Sequence, residues 1–354
     1  MLNLNNKTIL ITGGTGSWGN ELTKQILEKH NPKKILIYSR GEVKQWEMKK
    51  KFGNHPKLKF IIGDVRDFER IKIASKEVDL ILHLAALKHV PICEENPNET
   101  VLTNIIGTQN VINAAIENNV ESVVHISTDK AVDPLNLYGI TKSCAERLII
   151  AANIAAKNTK FVCIRGGNVI GTTGSIVPLL KEQILTKEKV TLTDDRMTRF
   201  FLNLDEAIKL IFKSLEISVG GEIFVMKMPS VKIIDLVEVM IQELSDKDIS
   251  IERIGIRPGE KIHEVLVSRY DSGRVIEEEK YFIILPLINI PNLKDCYAHR
   301  IFKTETEYSS DKVRRLNKEE IKEMLKKEGW LDKETKGNVG EREIIGLSKE
   351  IKYI

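Results

Sequence analysis

A tyrosine and a lysine four residues apart carry the clearest chemical signal in the sequence. Tyr138 and Lys142 form a Y-x-x-x-K pair in a segment, 138–156, whose pattern predicts a long helix. Residues at i and i+4 share one helix face, so the phenol and the amine are neighbours. A phenol with a pKa of about 10 is a weak base at neutral pH, but a nearby ammonium favours its phenolate. The pair predicts a base for a hydroxyl proton, and Thr128, just upstream, supplies a hydroxyl for the same substrate oxygen.

A glycine-rich stretch at 12–19 predicts a dinucleotide site. Its spacing is G-x-x-G-x-x-G, directly after a β-branched run at 7–12 and at the start of a helical stretch at 20–29. Glycines let the backbone approach a pyrophosphate, and the helix N-terminus offers free N–H groups to that anion. A tight turn with nothing bound is the alternative, and the strand–turn–helix context argues against it. The candidate contacts are Gly13, Thr15, Gly16, Ser17, Trp18 and Gly19.

The end of the second predicted strand favours NADP over NAD. An NAD enzyme usually has an acid there for the ribose 2′-hydroxyl, whereas this chain has Ser39 and Arg40, with Lys44 one helical turn later. A hydroxyl and two cations suit a 2′-phosphate, although a solvated surface arginine is the alternative. The remaining candidates follow the third and fourth strands: Asp64 and Val65 beside the adenine, and Ala85 and Ala86 beside the nicotinamide.

The elements that position these residues alternate along the chain. Short apolar runs at 7–12, 34–38, 60–62, 79–83, 122–127 and 160–164 predict strands, and the stretches between several of them predict helices, among them 20–29, 101–118 and 138–156. This alternation predicts an α/β fold with a doubly wound parallel Rossmann sheet.

The rhythm changes after Arg165, which predicts a second, smaller unit. Helix patterns occur at 200–215, 233–243 and 318–328. We expect an NADP-binding Rossmann domain over 1–165 plus roughly 200–220. A C-terminal substrate-binding lobe is expected over 166–199 plus roughly 221–330. The charged segment 331–354 has little periodicity and is expected to be a tail.

Composition excludes several function classes. The 354 residues carry a net charge of +4, which is too small to indicate nucleic-acid binding. The four cysteines form no C-x-x-C pair and no histidine cluster has zinc-ligand spacing, so we expect buried free thiols and no metal. No apolar run is long enough for a membrane span, and the chain enters a strand without room for a signal peptide. The sequence thus predicts a cytoplasmic protein.

Together these motifs resemble the extended short-chain dehydrogenase/reductase family. Within it, the stretch 127–130, Ser-Thr-Asp-Lys, stands where sugar-nucleotide 4,6-dehydratases carry Thr-Asp-Glu. Lys130 in the last place resembles the inverting UDP-N-acetylglucosamine 4,6-dehydratases of the pseudaminic acid pathway type, and so does Tyr138, where a related inverting group has methionine. Further similar segments lie at 38–44, 63–67, 85–91, 136–139, 196–200 and 255–264.

The resemblance implies roles for two more residues and a homo-oligomer, dimer or hexamer. Oxidation at C4 of the sugar acidifies the C5 proton. Lys130 would remove that proton if its surroundings lower its pKa, and Asp129 would protonate the departing C6 hydroxyl. The alternative is a local surface ion pair. Inversion at C5 would give a UDP-2-acetamido-2,6-dideoxy-L-arabino-hexos-4-ulose, with NADP recycled.

The resemblance also implies contacts for a UDP-N-acetyl sugar. The candidates are Lys88, which also belongs to the cofactor set, and Asn168, Arg199, Arg257 and Glu260. The chain departs from the family at Gly166, where a tyrosine is usual. Two alternatives stay open: a UDP-sugar 4-epimerase, which needs neither Asp129 nor Lys130, and a non-catalytic NADP-binding regulator, which would tend to lose Tyr138 or Lys142.

Overall fold

The structure, a computed structural model, describes residues 2–172, 174–187, 189–303 and 307–333. The strands are β1 (Thr8–Thr12), β2 (Lys34–Ser39), β3 (Leu58–Ile62), β4 (Leu80–His83), β5 (Ser122–Thr128), β6 (Lys160–Gly166), β7 (Asn168–Val169), β8 (Lys189–Leu192), β9 (Thr198–Leu202), β10 (Ile223–Met226), β11 (Ser230–Lys232), β12 (Ser250–Arg253), β13 (Val265–Val267), β14 (Val275–Glu277), β15 (Tyr281–Ile284), β16 (Phe302–Lys303) and β17 (Tyr308–Ser309). The helices are α1 (Ser17–Lys29), α2 (Glu42–Lys51), α3 (Phe68–Ala74), α4 (Val90–Glu95), α5 (Pro97–Val101), α6 (Gly107–Glu117), α7 (Leu137–Ala155), α8 (Ile176–Thr186), α9 (Leu204–Ile217), α10 (Ile233–Leu244), α11 (Leu293–Tyr297) and α12 (Lys318–Lys327).

A ten-stranded sheet organises the fold, in the order β16-β14-β15-β10-β6-β5-β4-β1-β2-β3. The seven strands from β10 to β3 pair in parallel, and β15, β14 and β16 add antiparallel neighbours at one edge. Strand order reverses between β1 and β4, and a crevice forms there outside the carboxyl ends of the strands. The doubly wound parallel fold predicted from the sequence is confirmed.

A second apolar core lies beside the sheet. It is built mainly from α8, β8, α10 and α12, and its buried members include Val177, Leu180, Val190, Val237 and Leu325. Four strands from the sequence assigned to the substrate lobe, β10, β14, β15 and β16, instead extend the large sheet. The division into two domains stays a prediction, with these strands moved to the Rossmann side.

Three helix boundaries differ from the sequence prediction. Phe200 to Leu202 complete β9, and the helix begins only at Leu204, because Asn203 caps it by accepting from the Glu206 N–H at 2.8 Å. A short apolar run does not distinguish strand from helix by period alone. The helix predicted at 101–118 starts earlier, at Pro97, and contains a π-helical turn at Leu102–Ile106. Helix α1 begins three residues earlier than predicted, at Ser17.

The described residues contain no helix long and apolar enough to cross a membrane. They also contain no group of three or more His, Cys, Asp or Glu side chains that could hold a metal ion. All four cysteines are free thiols. Cys93 and Cys163 are buried as expected, whereas Cys144 is half-buried and Cys296 is exposed, so the expectation of burial is wrong for these two. Of the predicted tail, residues 334–354 lie outside the described part of the chain.

Candidate active site

The turn between β1 and α1 leaves no room for a side chain at three of its four glycines, Gly13, Gly14 and Gly19. Gly13 has φ +65°, and a Cβ there would lie 2.9 Å from the backbone of Ala85. A Cβ at Gly19 would collide with the backbone of Gly14. Gly16 caps α1 through its backbone only, so the first N–H groups of the helix face the crevice. This cradle fits a pyrophosphate.

A cavity of about 660 Å³ opens above this turn. Apart from Gly19, which packs against Gly14, every residue that the sequence assigned to the cofactor lines it. These residues are Gly13, Thr15, Gly16, Ser17, Trp18, Ser39, Arg40, Lys44, Asp64, Val65, Ala85, Ala86, Lys88, Tyr138 and Lys142.

Two buried hydroxyls in the same cavity escaped the sequence analysis. Ser127 and Thr103 line it, and the side-chain oxygen of each has no hydrogen-bond partner among the described residues. Buried polar atoms are usually paired, so these two fit a polar ligand that supplies the missing bonds. Ser127 directly precedes Thr128, so the sequence could have predicted it as a cavity residue. Thr103 lies inside a helical stretch, where nothing in the sequence indicated a site.

The adenine-ribose end of the cavity is positive. Arg40 and Lys44 are exposed at its rim and form no ion pair within the described ranges, and Ser39 Oγ accepts from Gln45 Nε2 at 3.0 Å. Burial raises the pKa of the Asp64 carboxyl, but its hydrogen bonds from Arg66 outweigh burial and lower it. Because Asp64 is already paired with Arg66 at 2.6 Å, the cations at the rim remain available to a phosphate.

Tyr138 and Lys142 stand together on the first turns of α7. Asn136 caps this helix by accepting from the Gly139 N–H at 2.8 Å. Lys142 Nζ donates to the Ile126 carbonyl at 2.6 Å and lies 2.8 Å from His125 Nε2. Burial lowers the pKa of Lys142 to about 8.

The phenol of Tyr138 responds to a different cation from the one expected. Burial raises the pKa of Tyr138 to about 12, and the charge that most opposes this rise is that of Lys130 rather than Lys142. Without a bound dinucleotide, Tyr138 is therefore a neutral phenol. The positive nicotinamide ring expected from the sequence would act in the same direction as Lys130.

Asp129 and Lys130 form a short helical turn directly after β5. Asp129 is fully buried; its Oδ1 accepts from Thr128 Oγ1 at 2.9 Å and from Lys130 Nζ at 3.0 Å. Burial lowers the pKa of Lys130, but the carboxylates of Asp129 and Glu264 outweigh it, and the pKa lies above its ordinary value. The expectation of a lowered pKa is thus wrong, because two acids bracket the amine.

A second cleft, of about 280 Å³, receives the candidate substrate residues. Lys130, Asn168, Arg199, Arg257 and Glu260 line it together, whereas Lys88 lines the cofactor cavity. The cleft also includes residues that the sequence analysis had not assigned, among them Asn136, Thr193, Gly259, Lys261 and Glu264.

The two arginines of the cleft differ in freedom. The Arg199 guanidinium donates to the carbonyls of Thr198, Lys261 and Ile262 at 2.8 to 3.0 Å, which occupies most of its N–H groups. Arg257 keeps 48% of its side chain exposed, with Glu260 3.8 Å away as its ion-pair partner. This geometry favours Arg257 for a diphosphate and gives Arg199 a supporting position.

Gly166, the departure from the family pattern, ends β6 beside Thr128 on β5. A Cβ built there meets no atom within 4 Å. The missing tyrosine therefore leaves open space next to Thr128 instead of a repacked turn.

Comparison with known proteins identifies the family of this chain. The family described as "Polysaccharide biosynthesis protein" matches residues 9–286. The UDP-N-acetylglucosamine 4,6-dehydratase (inverting) of Campylobacter jejuni is 49% identical over 80% of this chain and 84% of its own. An uncharacterized membrane protein of Methanocaldococcus jannaschii is 47% identical over 92% of this chain and 97% of its own. A UDP-glucose 4-epimerase of Rickettsia canadensis is 39% identical over 93% of this chain and 98% of its own.

Solved structures agree on the fold. Pen from Bacillus thuringiensis superposes with a TM-score of 0.86 at 38% identity, covering 93% of this chain and 100% of its own. DesIV from Streptomyces venezuelae, a dTDP-glucose 4,6-dehydratase with NAD and TYD bound, superposes with a TM-score of 0.67 at 22% identity, covering 72% and 86%. The chain therefore belongs to the polysaccharide biosynthesis protein family, on the extended short-chain dehydrogenase/reductase fold.

Proposed function

We propose that the protein is a lyase that removes water from UDP-N-acetylglucosamine by 4,6-dehydration with inversion at C5. The observation that carries this proposal is that Tyr138 and Lys142 line the cofactor cavity while Lys130 lines the substrate cleft, pairs with Asp129 and acts electrostatically on Tyr138. An epimerase needs the first pair only. The 49% identical relative that bears this activity in its name supports the same assignment.

The proposed cofactor is NADP, which would take hydride from C4 of the sugar and return it to C6. The support is the glycine cradle at α1, the unpartnered hydroxyls of Thr103 and Ser127, and the cations at the adenine end. Arg40 and Lys44 would hold the 2′-phosphate, for which an acidic residue would be unfavourable.

Proton removal at C4 falls to Tyr138. Its phenolate, favoured by the Lys130 ammonium, accepts the C4 hydroxyl proton. The Thr128 hydroxyl, which donates to Asp129 Oδ1, would exchange that bond for one to the same substrate oxygen. Lys142, fixed by the Ile126 carbonyl, would orient the cofactor ribose.

Elimination of water falls to Asp129 and Lys130. In the ion pair, Lys130 carries the proton; its transfer to Asp129 across 3.0 Å breaks an N–H bond and forms an O–H bond. The result is a neutral amine, which can take the C5 proton, and a carboxylic acid, which can protonate the C6 hydroxyl as it leaves. The raised pKa of Lys130 means that this form is a minor one before the substrate binds.

The cleft beyond Lys130 would hold the UDP group. Arg257 pairs with the diphosphate, Asn168 bonds a phosphate or the uracil, and Glu260 accepts from ribose hydroxyls. Arg199 holds the backbone of 261–262 in place behind them.

We further propose that the product enters the synthesis of a pseudaminic acid-like surface sugar, and that the protein works in the cytoplasm as a homo-oligomer. The family name, polysaccharide biosynthesis, supports the first part. The location and the oligomeric state remain predictions from the sequence.

Incubation with UDP-N-acetylglucosamine in heavy water tests the activity. The dehydratase releases water, and its product carries deuterium at C5 with inverted configuration, with no accumulation of NADPH. An unchanged mass with a new sugar would identify the 4-epimerase, an activity that the Rickettsia relative bears in its name. Steady NADPH formation would identify a simple dehydrogenase. An unchanged sugar nucleotide would favour a non-catalytic NADP-binding regulator.

A further inference from the structure

A buried glutamate from the C-terminal half of the chain reaches the catalytic lysine. Glu264 lies just before β13; its side chain is 3% exposed, and its Oε1 lies 3.5 Å from Lys130 Nζ. Its other oxygen, Oε2, is buried without a hydrogen-bond partner among the described residues. Glu264 lines the substrate cleft, so the carboxylate faces the place where the sugar would bind.

Rigid contacts hold this carboxylate in position. The Glu264 N–H donates to Ser310 Oγ at 2.9 Å, and its carbonyl accepts from the Ser310 N–H at 2.8 Å. Arg199 fixes the preceding backbone through its bonds to Lys261 and Ile262, and its Nε lies 3.7 Å from Glu264 Oε1. A side chain held by its own backbone and by a neighbouring guanidinium loses little entropy on making a further contact.

Asp129 and Glu264 thus bind Lys130 from opposite parts of the fold. The Asp129 contact, 3.0 Å, comes from the turn after β5, and the Glu264 contact comes from the segment before β13. The other charged or titratable groups that interact with this amine are Arg199 on β9, Tyr138 on α7 and Lys261, which also interacts with both carboxylates. Among all these groups, only Asp129 and Glu264 raise the pKa of Lys130.

We propose that Glu264 is a positioning residue for Lys130, holding its amine at the substrate cleft and acting as a second acceptor for its proton. The inference rests on the dehydratase function proposed above. With two acids available, Lys130 can pass its proton to either of them and present a neutral amine to C5. Glu264 would then keep the amine in place when Asp129 turns to the C6 hydroxyl.

Competitive acetylation of Lys130 by acetic anhydride, followed by peptide mass spectrometry, tests the contact without requiring turnover. Only the neutral amine reacts, and removal of an opposite charge within 4 Å lowers a lysine pKa by about 1 unit or more. Glu264→Gln is therefore expected to speed labelling of Lys130 about 10-fold at a pH below its pKa. Glu260→Gln is the matched control, because it removes the same charge from the same cleft. Since Glu260 pairs with Arg257 and not with Lys130, this variant should label Lys130 at the wild-type rate.

Glu264→Asp withdraws the carboxylate by one methylene and should give an intermediate rate. If Glu264→Gln does not fold, the labelling rate of Lys130 in Glu264→Asp tests the proposal instead. In whichever of the two variants folds, a labelling rate equal to that of the wild type overturns the proposal.

The pH dependence of C5 deuterium exchange is the second readout. The rise of exchange with pH should begin at lower pH in Glu264→Gln than in the wild type, and an unmoved profile contradicts the proposal. If Glu264→Gln speeds labelling of Lys130 but the wild type makes no dehydrated product, the contact between Glu264 and Lys130 is supported and the proposed dehydratase function is wrong.

Discussion

The cofactor cavity and the substrate cleft are built on different principles. The cofactor cavity presents glycine backbone, strand ends and polar groups that lack partners, such as Thr103 and Ser127. In the substrate cleft most charged side chains already have partners, as Lys130 and Arg199 do, although Glu264 Oε2 is a buried oxygen with no hydrogen-bond partner among the described residues. The first is prepared to receive a ligand of fixed shape. In the second, protein contacts must be exchanged for substrate contacts.

The largest expected effect comes from removing the amine of the substrate cleft. Lys130→Ala should retain NADP and UDP-sugar binding yet lose C5 exchange by a factor of about 100 or more, the usual contribution of a positioned base. NMR of the sugar in heavy water measures it. Lys189→Ala, which removes a surface lysine paired with Glu252, is the control. Exchange at a near wild-type rate would remove Lys130 from the mechanism.

On the cofactor side, the expected change is one of affinity. Arg40→Asp should weaken NADP binding by about 2 kcal/mol, since a charge-assisted bond to the 2′-phosphate is lost, and should leave NAD binding nearly unchanged. Calorimetric titration with both cofactors measures this. Lys49→Asp is the control, because it makes the same change of charge at a position on α2 that does not line the cavity. A wild-type protein that binds both cofactors equally would contradict the assignment.

Acid should weaken the Rossmann side through its buried histidines. His83 lies between Thr12 and Thr108, and burial lowers its pKa to about 3. Between about 6.5, its pKa when unfolded, and about 3, only the unfolded chain takes up the proton, so the free energy of unfolding falls as pH decreases.

Urea unfolding at pH 7 and at pH 5 measures the contribution of this histidine. For His83→Gln we expect the loss of stability between these values to be smaller by about 2 kcal/mol than in the wild type. His299→Gln, at an exposed position, should match the wild type. Equal losses in all three proteins would show that His83 is not held neutral.

The smallest expected effect concerns the joint between the two regions. Asn136 caps α7 and also donates from Nδ2 to the Gly259 carbonyl at 2.9 Å. Asn136→Ala should cost about 1 kcal/mol of stability and raise KM for the sugar nucleotide. Asn203→Ala removes the cap of α9, which has no such contact, and should lose similar stability with KM unchanged. The same KM in both variants would show that the contact between Asn136 and Gly259 does not affect binding of the sugar nucleotide.

The same contrast explains how much the sequence could predict. The glycine turn and the Tyr138–Lys142 pair depend on spacing within one turn or helix, so local pattern was sufficient. The pKa of Lys130 depends on Glu264, and the role of Arg199 depends on the carbonyls of 261–262; both involve segments far apart in the chain. The motif at 255–264 included Glu264, but nothing in it indicated which side chain Glu264 would meet. The antiparallel strands β14 to β16 were missed because short strands carry little periodicity.

The anchoring of Glu264 on Ser310 has a consequence during synthesis of the chain. The seven parallel strands and the glycine turn are complete once β10 has left the ribosome, and protein domains generally fold from the N-terminus as they are made. The second acid that holds Lys130 is fixed only when Ser310 has bonded to the backbone N–H and carbonyl of Glu264. A nascent chain should therefore acquire its dinucleotide site well before it can perform chemistry on a sugar, and a bound dinucleotide would stabilise the unfinished fold while the rest is added.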